Sequence, residues 1–330
     1  MHERQHGLSK VRVAFGTGVI LELWRGKLVE APTTAHFLTY FEGRCRGNCR
    51  FCPQARESTA DLEMLSRVVW PKFDLESVLA ALKKNSEKFK RVCIQAVNFS
   101  GVVEVICELV SRLREVCDLP VSVSCQPLML EDLKRLASVG VERVGLAFDA
   151  ATEEIFRNVK GSEYSWEGHM EALKNAKAVF GDRVSTHLIA GLGETEEEMA
   201  QAFQFFHDNG VTVALFAFTP IPGTPLSNHP RPDVTSYRRL QLARFLIANG
   251  LGRVENMNFE EGSISSFGVD SELLGKVIES GDPFVTSGCA GCNRPFYNES
   301  PRGPIYNYPR KPSRRDIEEI KKLLKSPVSP

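Results

Sequence analysis

Neither sign of charge dominates this chain: 41 lysines and arginines stand against 41 aspartates and glutamates in 330 residues. That balance sets up no global field for nucleic acid or an anionic membrane. Long apolar runs are also missing, none reaching the ~18 residues of a membrane span. The opening Met1-His2-Glu3-Arg4-Gln5-His6 is polar and lacks the apolar centre of a signal peptide. Together these absences lead to the expectation of a cytoplasmic protein that needs neither nucleic acid nor membrane. Internal repeats and low-complexity tracts are absent as well. A hydrophobic fraction of 42% with 25% charged residues is that of a soluble globular enzyme. The length can bury a large core, as two average domains or as one α/β barrel.

Nine cysteines need a reason. Disulfide frameworks belong to small secreted domains, which this chain is not. Metal binding or redox chemistry is the better expectation.

Short apolar runs alternate with amphipathic stretches. Six candidate strands are His36–Phe41, Arg91–Val97, Pro120–Cys125, Arg143–Phe148, Arg183–Ala190 and Val211–Phe218. Helix-like stretches follow them, among them Glu131–Val139, Thr195–Asp208 and Val234–Ala248. In the first of these, Leu133, Leu136 and Ala137 recur at helical spacing and Gly140 offers a stop. Six βα repeats imply a parallel sheet that right-handed crossovers close or nearly close. Weaker strands near Arg253–Met257 and Pro283–Thr286 would complete eight. The expected fold is therefore a TIM-type (βα)8 or near-complete barrel with a C-terminal loop-and-helix extension. Its division is an N-terminal extension over 1–34, a barrel over 35–288 and a C-terminal segment over 289–330 that covers the barrel mouth. The polar helix near Ser313–Leu324 is expected to cap the barrel. Chemistry in such barrels sits at the C-terminal ends of the strands.

Directly after the first strand, Cys45-Arg46-Gly47-Asn48-Cys49-Arg50-Phe51-Cys52 contains C-x3-C-x2-C. Three thiolates on one tight loop can ligate three irons of a cubane cluster and leave the fourth open. A zinc site usually combines two C-x2-C pairs, or cysteine pairs with histidine pairs, and the fourth ligand is missing locally. This spacing resembles that of the radical S-adenosylmethionine (SAM) superfamily. The resemblance implies a [4Fe–4S] cluster on Cys45, Cys49 and Cys52 that cleaves SAM reductively. It implies Phe51 against the adenine. Leu188-Ile189-Ala190-Gly191-Leu192-Gly193-Glu194 resembles the family motif G-x-I-x-G-x-x-E, with Gly191 and Glu194 toward SAM and His187 at the first glycine. The family's Gly-Gly-Glu after the second strand is replaced by Ala96-Val97-Asn98, which makes Asn98 the candidate for the methionyl amine.

A closer likeness is to biotin synthase and its lipoyl-synthase relatives, over roughly residues 35–290. Cys93 in Arg91–Ala96 and Cys125 in Ser124–Leu128 resemble strand-borne ligands of an auxiliary cluster. Phe148-Asp149 resembles the strand end where Asp149 would bind the SAM ribose, and Ile221–Leu226 echoes a later Gly-Thr-Pro-Leu loop. Two departures stand out: Ser185 replaces the third auxiliary cysteine and Ala147 replaces an asparagine that reads the ureido ring. Instead, Ser287-Gly288-Cys289-Ala290-Gly291-Cys292 offers a C-x2-C pair, whose alternatives are structural zinc or a redox couple. Cys93, Cys125, Cys289 and Cys292 would make a full set for a second [4Fe–4S] cluster, the sulfur donor. Cys107 and Cys117 read as core residues.

Cys292–Glu299 with Pro301–Pro304 resembles one component of the archaeal-type two-component lipoyl synthases, as do Thr33–Ala35 and Pro53–Arg56. That likeness implies sulfur insertion into an octanoyl chain on a lipoyl-domain lysine. A 5′-deoxyadenosyl radical would remove a hydrogen atom, and the carbon radical would take a sulfide from the second cluster. It further implies an octanoylated carrier protein as substrate, a second radical SAM component and a reduced electron donor such as ferredoxin. Phe296, Tyr297, Tyr306 and Tyr308 could form the carrier's dock or could be packing. Biotin synthase is the nearest alternative, and a non-catalytic iron–sulfur carrier or scaffold is one from another class.

Overall fold

Residues 8–325 are described in a computed structural model; the polar Met1–His6 stretch lies outside them. The chain runs through β1 (Lys10–Val13), α1 (Phe15–Ile20), β2 (Thr34–Leu38), a small hairpin of β3 (Met64–Leu65) and β4 (Val68–Val69), β5 (Lys72–Asp74) and α2 (Leu75–Asn85). Then come β6 (Arg91–Gln95), α3 (Val102–Arg114), β7 (Val121–Cys125), α4 (Leu130–Ser138), β8 (Val141–Asp149), α5 (Glu153–Lys160) and α6 (Trp166–Phe180). The third part holds β9 (Val184–Ala190), α7 (Glu196–Asp208), β10 (Thr212–Ala217) and α8 (Val234–Ala248). A hairpin of β11 (Asn258–Glu260) and β12 (Ser263–Ser266), then α9 (Ser271–Ser280) and α10 (Arg314–Lys325), complete it.

All six expected strands form, as β2 and β6 to β10, and they pair in parallel in the order β10-β9-β8-β7-β6-β2. β1 and β5 extend the β2 edge antiparallel, giving eight strands in one sheet. The near-complete barrel is the form adopted. The two weak strands expected to complete eight are short 3-10 turns, at Val254–Asn256 and Asp282–Phe284. Pro283 has no N–H to give to a ladder, and Gly281 before it turns with φ +72°. Arg253 and Glu255 pair with each other at the surface, and Arg253 also pairs with Asp208. Residues 1–34 are likewise no separate extension over their described part, because β1 belongs to the sheet.

Strands buried on both faces usually read as continuous apolar runs. Here they alternate. Val92, Ile94, Val121, Val123, Val144, Leu146, Val184 and Leu188 are buried in the layer shared with the helices. His36, Cys93, Gln95, Ser122, Ser124, Ser185 and His187 line the inside instead. Small and polar residues cannot fill a barrel as branched ones do, so the interior is hollow.

A six-stranded parallel sheet leaves a seam, and an irregular strap over residues 284–308 fills it. Along β10, the Leu215 N–H donates to Ser287 Oγ at 2.9 Å, while its carbonyl accepts from the Tyr237 hydroxyl at 3.1 Å and from Asn307 Nδ2 at 3.4 Å. At the N-terminal ends of the strands, Thr33 Oγ1 donates to the Gly291 carbonyl (2.6 Å), the Thr33 N–H to Asn293 Oδ1 (2.9 Å) and Arg91 Nη1 to the Ala290 carbonyl (3.3 Å). Past the C-terminal end of β10, Thr219 Oγ1 donates to the Asn298 carbonyl at 2.8 Å. The C-x2-C pair therefore lies on the barrel floor, and not over its mouth as expected. The orphan edge groups of β10 draw the strap along the whole seam. Helix α10 does not cap the barrel either. Its Ile317 and Ile320 face Leu242, Leu246, Val277 and Phe284 in a cluster outside it.

Glu299 of the strap is 1% exposed, its Oε2 has no hydrogen-bond partner, and burial pushes its carboxyl up from 4.5 to about 7. The folded chain then holds a proton that the unfolded chain releases, so this stabilisation is complete below about pH 4.5 and is lost as pH rises through about 7. Melting curves should show Glu299→Gln losing less Tm than the wild type between about pH 5 and pH 8; equal losses would refute this assignment.

Candidate active site

The cluster loop leaves β2 at the C-terminal end of the sheet and is fixed by its own backbone. The Cys45 N–H donates to the Gln54 carbonyl (2.9 Å), the Arg46 N–H to that of Asn98 (2.7 Å), the Arg50 N–H to that of Val159 (2.8 Å) and the Arg56 N–H to that of Gly47 (3.0 Å). Arg44 donates to the carbonyls of Pro53 and Ala60 at 2.8 and 2.6 Å. Gly47 makes room for Tyr164, whose hydroxyl would lie 2.5 Å from a Cβ there and would have to move. Gly223, at φ +86°, lies so close to Ala60 that a Cβ would sit 2.5 Å from its backbone nitrogen. The Ile221–Leu226 loop thereby clamps the segment that follows the cysteines.

Cys45, Cys49 and Cys52 line one cavity of about 140 Å³, with Gln95, Ser124, Cys125, Asp149 and His187 on its other walls. A second cavity of about 220 Å³ adjoins it and shares Phe51, Gln95, Ser124, Asp149 and His187. Both volumes far exceed the roughly 10–15 Å³ that a water occupies by this measure. Cys93, Cys289 and Cys292 line the larger one, toward the floor. Gln95 Nε2 donates to Cys93 Sγ at 3.1 Å. Ser122, which stands opposite Cys93 in the ladder, has its Oγ 3.8 Å from Cys289 Sγ.

Cys125 does not join this group. Ser122 and Ser124 occupy the β7 positions that face the larger cavity. Cys125 has the opposite parity and ends the strand on the smaller one. Of the four thiols expected together, Cys93, Cys289 and Cys292 share the larger cavity and Cys125 stands apart. Cys107 and Cys117 pack, half-buried, against the main core.

Burial raises the Cys49 thiol to about 11, against the pull of the Lys160 ammonium, and raises the Cys52 and Cys93 thiols further. It also raises Cys292, against Arg294, and takes Cys125 to about 12. Thiols this buried give up their protons to a metal and not to water. Among the described residues no three His, Cys, Asp or Glu side chains converge as ligands of a single ion would. A polynuclear cluster, in which each thiolate takes a different iron, asks for a wider ring. The Cys45/Cys49/Cys52 donor set fits a [4Fe–4S] cluster with one iron left open.

Asp149 ends β8 in the left-handed region, at φ +67°, where the Ala150 N–H closes a tight turn on the Phe148 carbonyl at 2.8 Å. A non-glycine residue persists there only when its surroundings hold it. Lys160 Nζ donates to Asp149 Oδ2 at 2.5 Å, to the Ala147 carbonyl at 2.8 Å and to Gln126 Oε1 at 3.2 Å. His187 Nε2 is 2.8 Å from Asp149 Oδ1, and its ring stacks on Phe216 at 5.0 Å. Burial would raise the Asp149 carboxyl, but Lys160 and His187 hold it well below the carboxylate range. Lys160 is fully buried; Asp149 overcomes that cost and keeps its ammonium charged. This anion on the wall between the two cavities is where a ribose hydroxyl could be held.

Phe51 packs with Ile189, Leu192 and Phe218 in an apolar cluster at the mouth. Glu194 accepts the N–H groups of Gly191 (2.6 Å) and Leu192 (3.0 Å), so it buckles its own turn. Gly191 takes φ +97° against Pro232. Asn98 Nδ2 donates to the Tyr164 hydroxyl at 2.8 Å, and its carbonyl, accepting the Arg46 N–H, ties it to the cluster loop. Sequence patterns give His36, Lys160 and Arg294 no role and place His187 only at a motif glycine; the pairing of His36 with Cys93 follows only from the strand register. Of the aromatic residues considered for a dock, Tyr297 lines the larger cavity and Tyr306 is 2% exposed. Tyr308 lies under the Arg238 guanidinium and Phe296 is half-buried. No described helix is long and apolar enough to cross a membrane.

The profile of the radical SAM superfamily matches residues 40–206, about half the chain, with all three loop cysteines inside it. The chain belongs to the radical SAM superfamily. It is 29% identical over 210 residues to a biotin synthase of Clostridium botulinum (strain Loch Maree / Type A3), covering 62% of this chain and 64% of that one. With a biotin synthase of Aquifex aeolicus (strain VF5) it shares 24% over 251 residues, 74% and 73% of the two chains. This chain thus spans just under two thirds of the first of these relatives. In fold it is similar to the [FeFe]-hydrogenase maturase of Carboxydothermus hydrogenoformans (TM-score 0.54, 18% identity, 72% of this chain and 56% of that one). Methylornithine synthase is similar too (TM-score 0.52, 16% identity, 71% and 67%). Likenesses this distant speak for the fold alone, a radical SAM α/β barrel.

Removing Lys160 leaves a buried carboxylate short of its main partner. Lys160→Met should cost about 3–5 kcal/mol of unfolding free energy, and Lys160→Met with Asp149→Asn should recover most of it. Chemical denaturation of the two variants checks this; equal losses in both would sink it.

Proposed function

We propose that this enzyme inserts sulfur at an unactivated carbon of an octanoyl chain carried on a lipoyl-domain lysine. It would act as one component of a two-component lipoyl synthase, with a second iron–sulfur cluster on Cys93, Cys289 and Cys292 as the sulfur source. One observation carries this reading. The larger cavity has three thiols on its floor and the Asp149 anion at its upper wall, with an apolar lining of Phe51, Leu65, Trp70, Ile189, Phe216 and Phe218. An acyl chain could lie along that lining between the two ends.

When bound, the two clusters and SAM supply the electron, the hydrogen-abstracting group and the sulfur. This chain's residues do the positioning. Asp149, held by Lys160 and His187, accepts hydrogen bonds from a ribose. Phe51 offers an apolar face to a base. The strap and the apolar lining exclude water, which fixes the target carbon and protects a reactive intermediate. The substrate would then be a protein, helped by a second radical SAM component and a reduced donor such as ferredoxin.

Biotin synthase is the second reading, and the names of the relatives favour it. Two features weigh the other way. Ser185 in β9 offers a hydroxyl, bonded to the Val144 carbonyl at 3.4 Å, where that family has a thiol. Ala147 is buried and apolar where that family reads a ureido ring.

Reduced, reconstituted protein incubated with SAM should thiolate an octanoyl-lysyl peptide and leave dethiobiotin untouched; biotin as the only product would overturn the lipoyl reading. Iron analysis should give about eight irons per chain, falling to about four in Cys289→Ala/Cys292→Ala and staying near eight in Cys125→Ser.

A further inference from the structure

Three thiols are one ligand short of the complement that closes a protein-held iron–sulfur cluster. The floor of the larger cavity also carries an imidazole. His36 lies in β2 directly opposite Cys93 in the parallel register, and it lines the same cavity. Its residue is 1% exposed. Its Nε2 is 3.9 Å from Cys292 Sγ, the outer limit of contact with sulfur, and its Nδ1 is buried with no hydrogen-bond partner. The ring is nevertheless held in place. The His36 N–H donates to Thr17 Oγ1 at 3.0 Å, and the imidazole lies between Trp70 and Tyr297, with ring centroids 6.3 and 5.2 Å away.

Leaving polar atoms without partners in a core is costly. With Nε2 facing a cysteine sulfur at 3.9 Å, this buried imidazole presents a ring nitrogen to the thiols of the floor. Imidazole can replace thiolate on cluster iron. Of the other polar groups on the floor, Thr34 Oγ1 is also without a partner, but a neutral alcohol is a poorer ligand for cluster iron than an imidazole. Ser122 Oγ accepts two N–H groups of Arg91, at 2.7 and 3.1 Å. The Arg294 guanidinium lies 3.7 Å over Phe216 and donates to the Ser287 carbonyl, and a protonated guanidinium has no lone pair to offer.

We infer that His36, through Nε2, is the fourth protein ligand of the cluster held by Cys93, Cys289 and Cys292. This rests on the auxiliary-cluster reading above. One neutral ligand among three thiolates lowers the negative charge at the metal by one. The cluster then accepts an electron more readily than an all-cysteine one would.

The test uses the full chain with Cys45, Cys49 and Cys52 changed to alanine, so that any iron retained belongs to the floor. Pulsed electron paramagnetic resonance of the reduced protein should show strong coupling to one nitrogen. That coupling should change from 14N to 15N when only histidine is 15N-labelled. His36→Cys in the same background should keep the iron, lose the coupling and shift the reduction potential downward. Retained iron without histidine coupling, or coupling that survives His36→Cys, would overturn the inference while the auxiliary cluster stands. Loss of all iron from the triple variant would overturn the auxiliary cluster itself. The labelling result on unmodified His36 decides the matter even if His36→Cys does not fold.

Discussion

Leu215 sits on an edge that no further parallel strand covers. The N–H and carbonyl groups of such an edge need partners, because unpaired backbone groups inside a protein are costly. In this chain they are met by side chains, those of Ser287, Tyr237 and Asn307. The position of the strap follows from that exchange, and the positions of Cys289 and Cys292 follow from the strap. A regular seventh strand would have satisfied the same edge. It would also have walled the interior with a ladder and kept a glycine-containing loop with two thiols out of the barrel.

The interior is divided by chemistry as well as by shape. Polar groups on the parallel strands, Gln95, Ser124, Asp149 and His187, stand where the two cavities meet. Above them the cluster loop is pinned by main-chain hydrogen bonds. Below them Cys93, Cys289, Cys292 and His36 come from three separate parts of the chain. Asp149 pays for its place on that wall with a strained backbone and a buried charge, and Lys160 offsets both from the end of α5. Local rules of conformation are broken where function makes the demand.

Much of this arrangement is legible in the sequence. The six parallel strands, α8 with its bounds and the cluster loop all follow from local patterns, because periodicity and C-x3-C-x2-C spacing are local properties. What escapes notice is long-range. The role of β1 and β5 depends on pairing that short strands do not announce. Cys125 looks like a ligand until strand parity turns it away, and the wall it faces is set by its neighbours on β6 and β8. His36 and Lys160 look like ordinary residues until register and helix placement bring them to the cavities. The C-x2-C pair is conspicuous as a motif, yet only the edge of β10 explains why it reaches the floor and not the mouth.

The strap also fixes an order of assembly. Chains emerge and begin to fold from the N-terminus. The cluster loop, β6 and the strand walls are therefore made while residues 284–308 are still to come. Until those residues dock, the barrel is a trough open along one side, with the thiol of Cys93 on its inner wall. Once Ser287 and Asn307 have bonded to Leu215, that side too is a finished wall. The irregular seam is thus the last wall of the chamber to follow in chain order, and side chains, not a strand ladder, hold it shut.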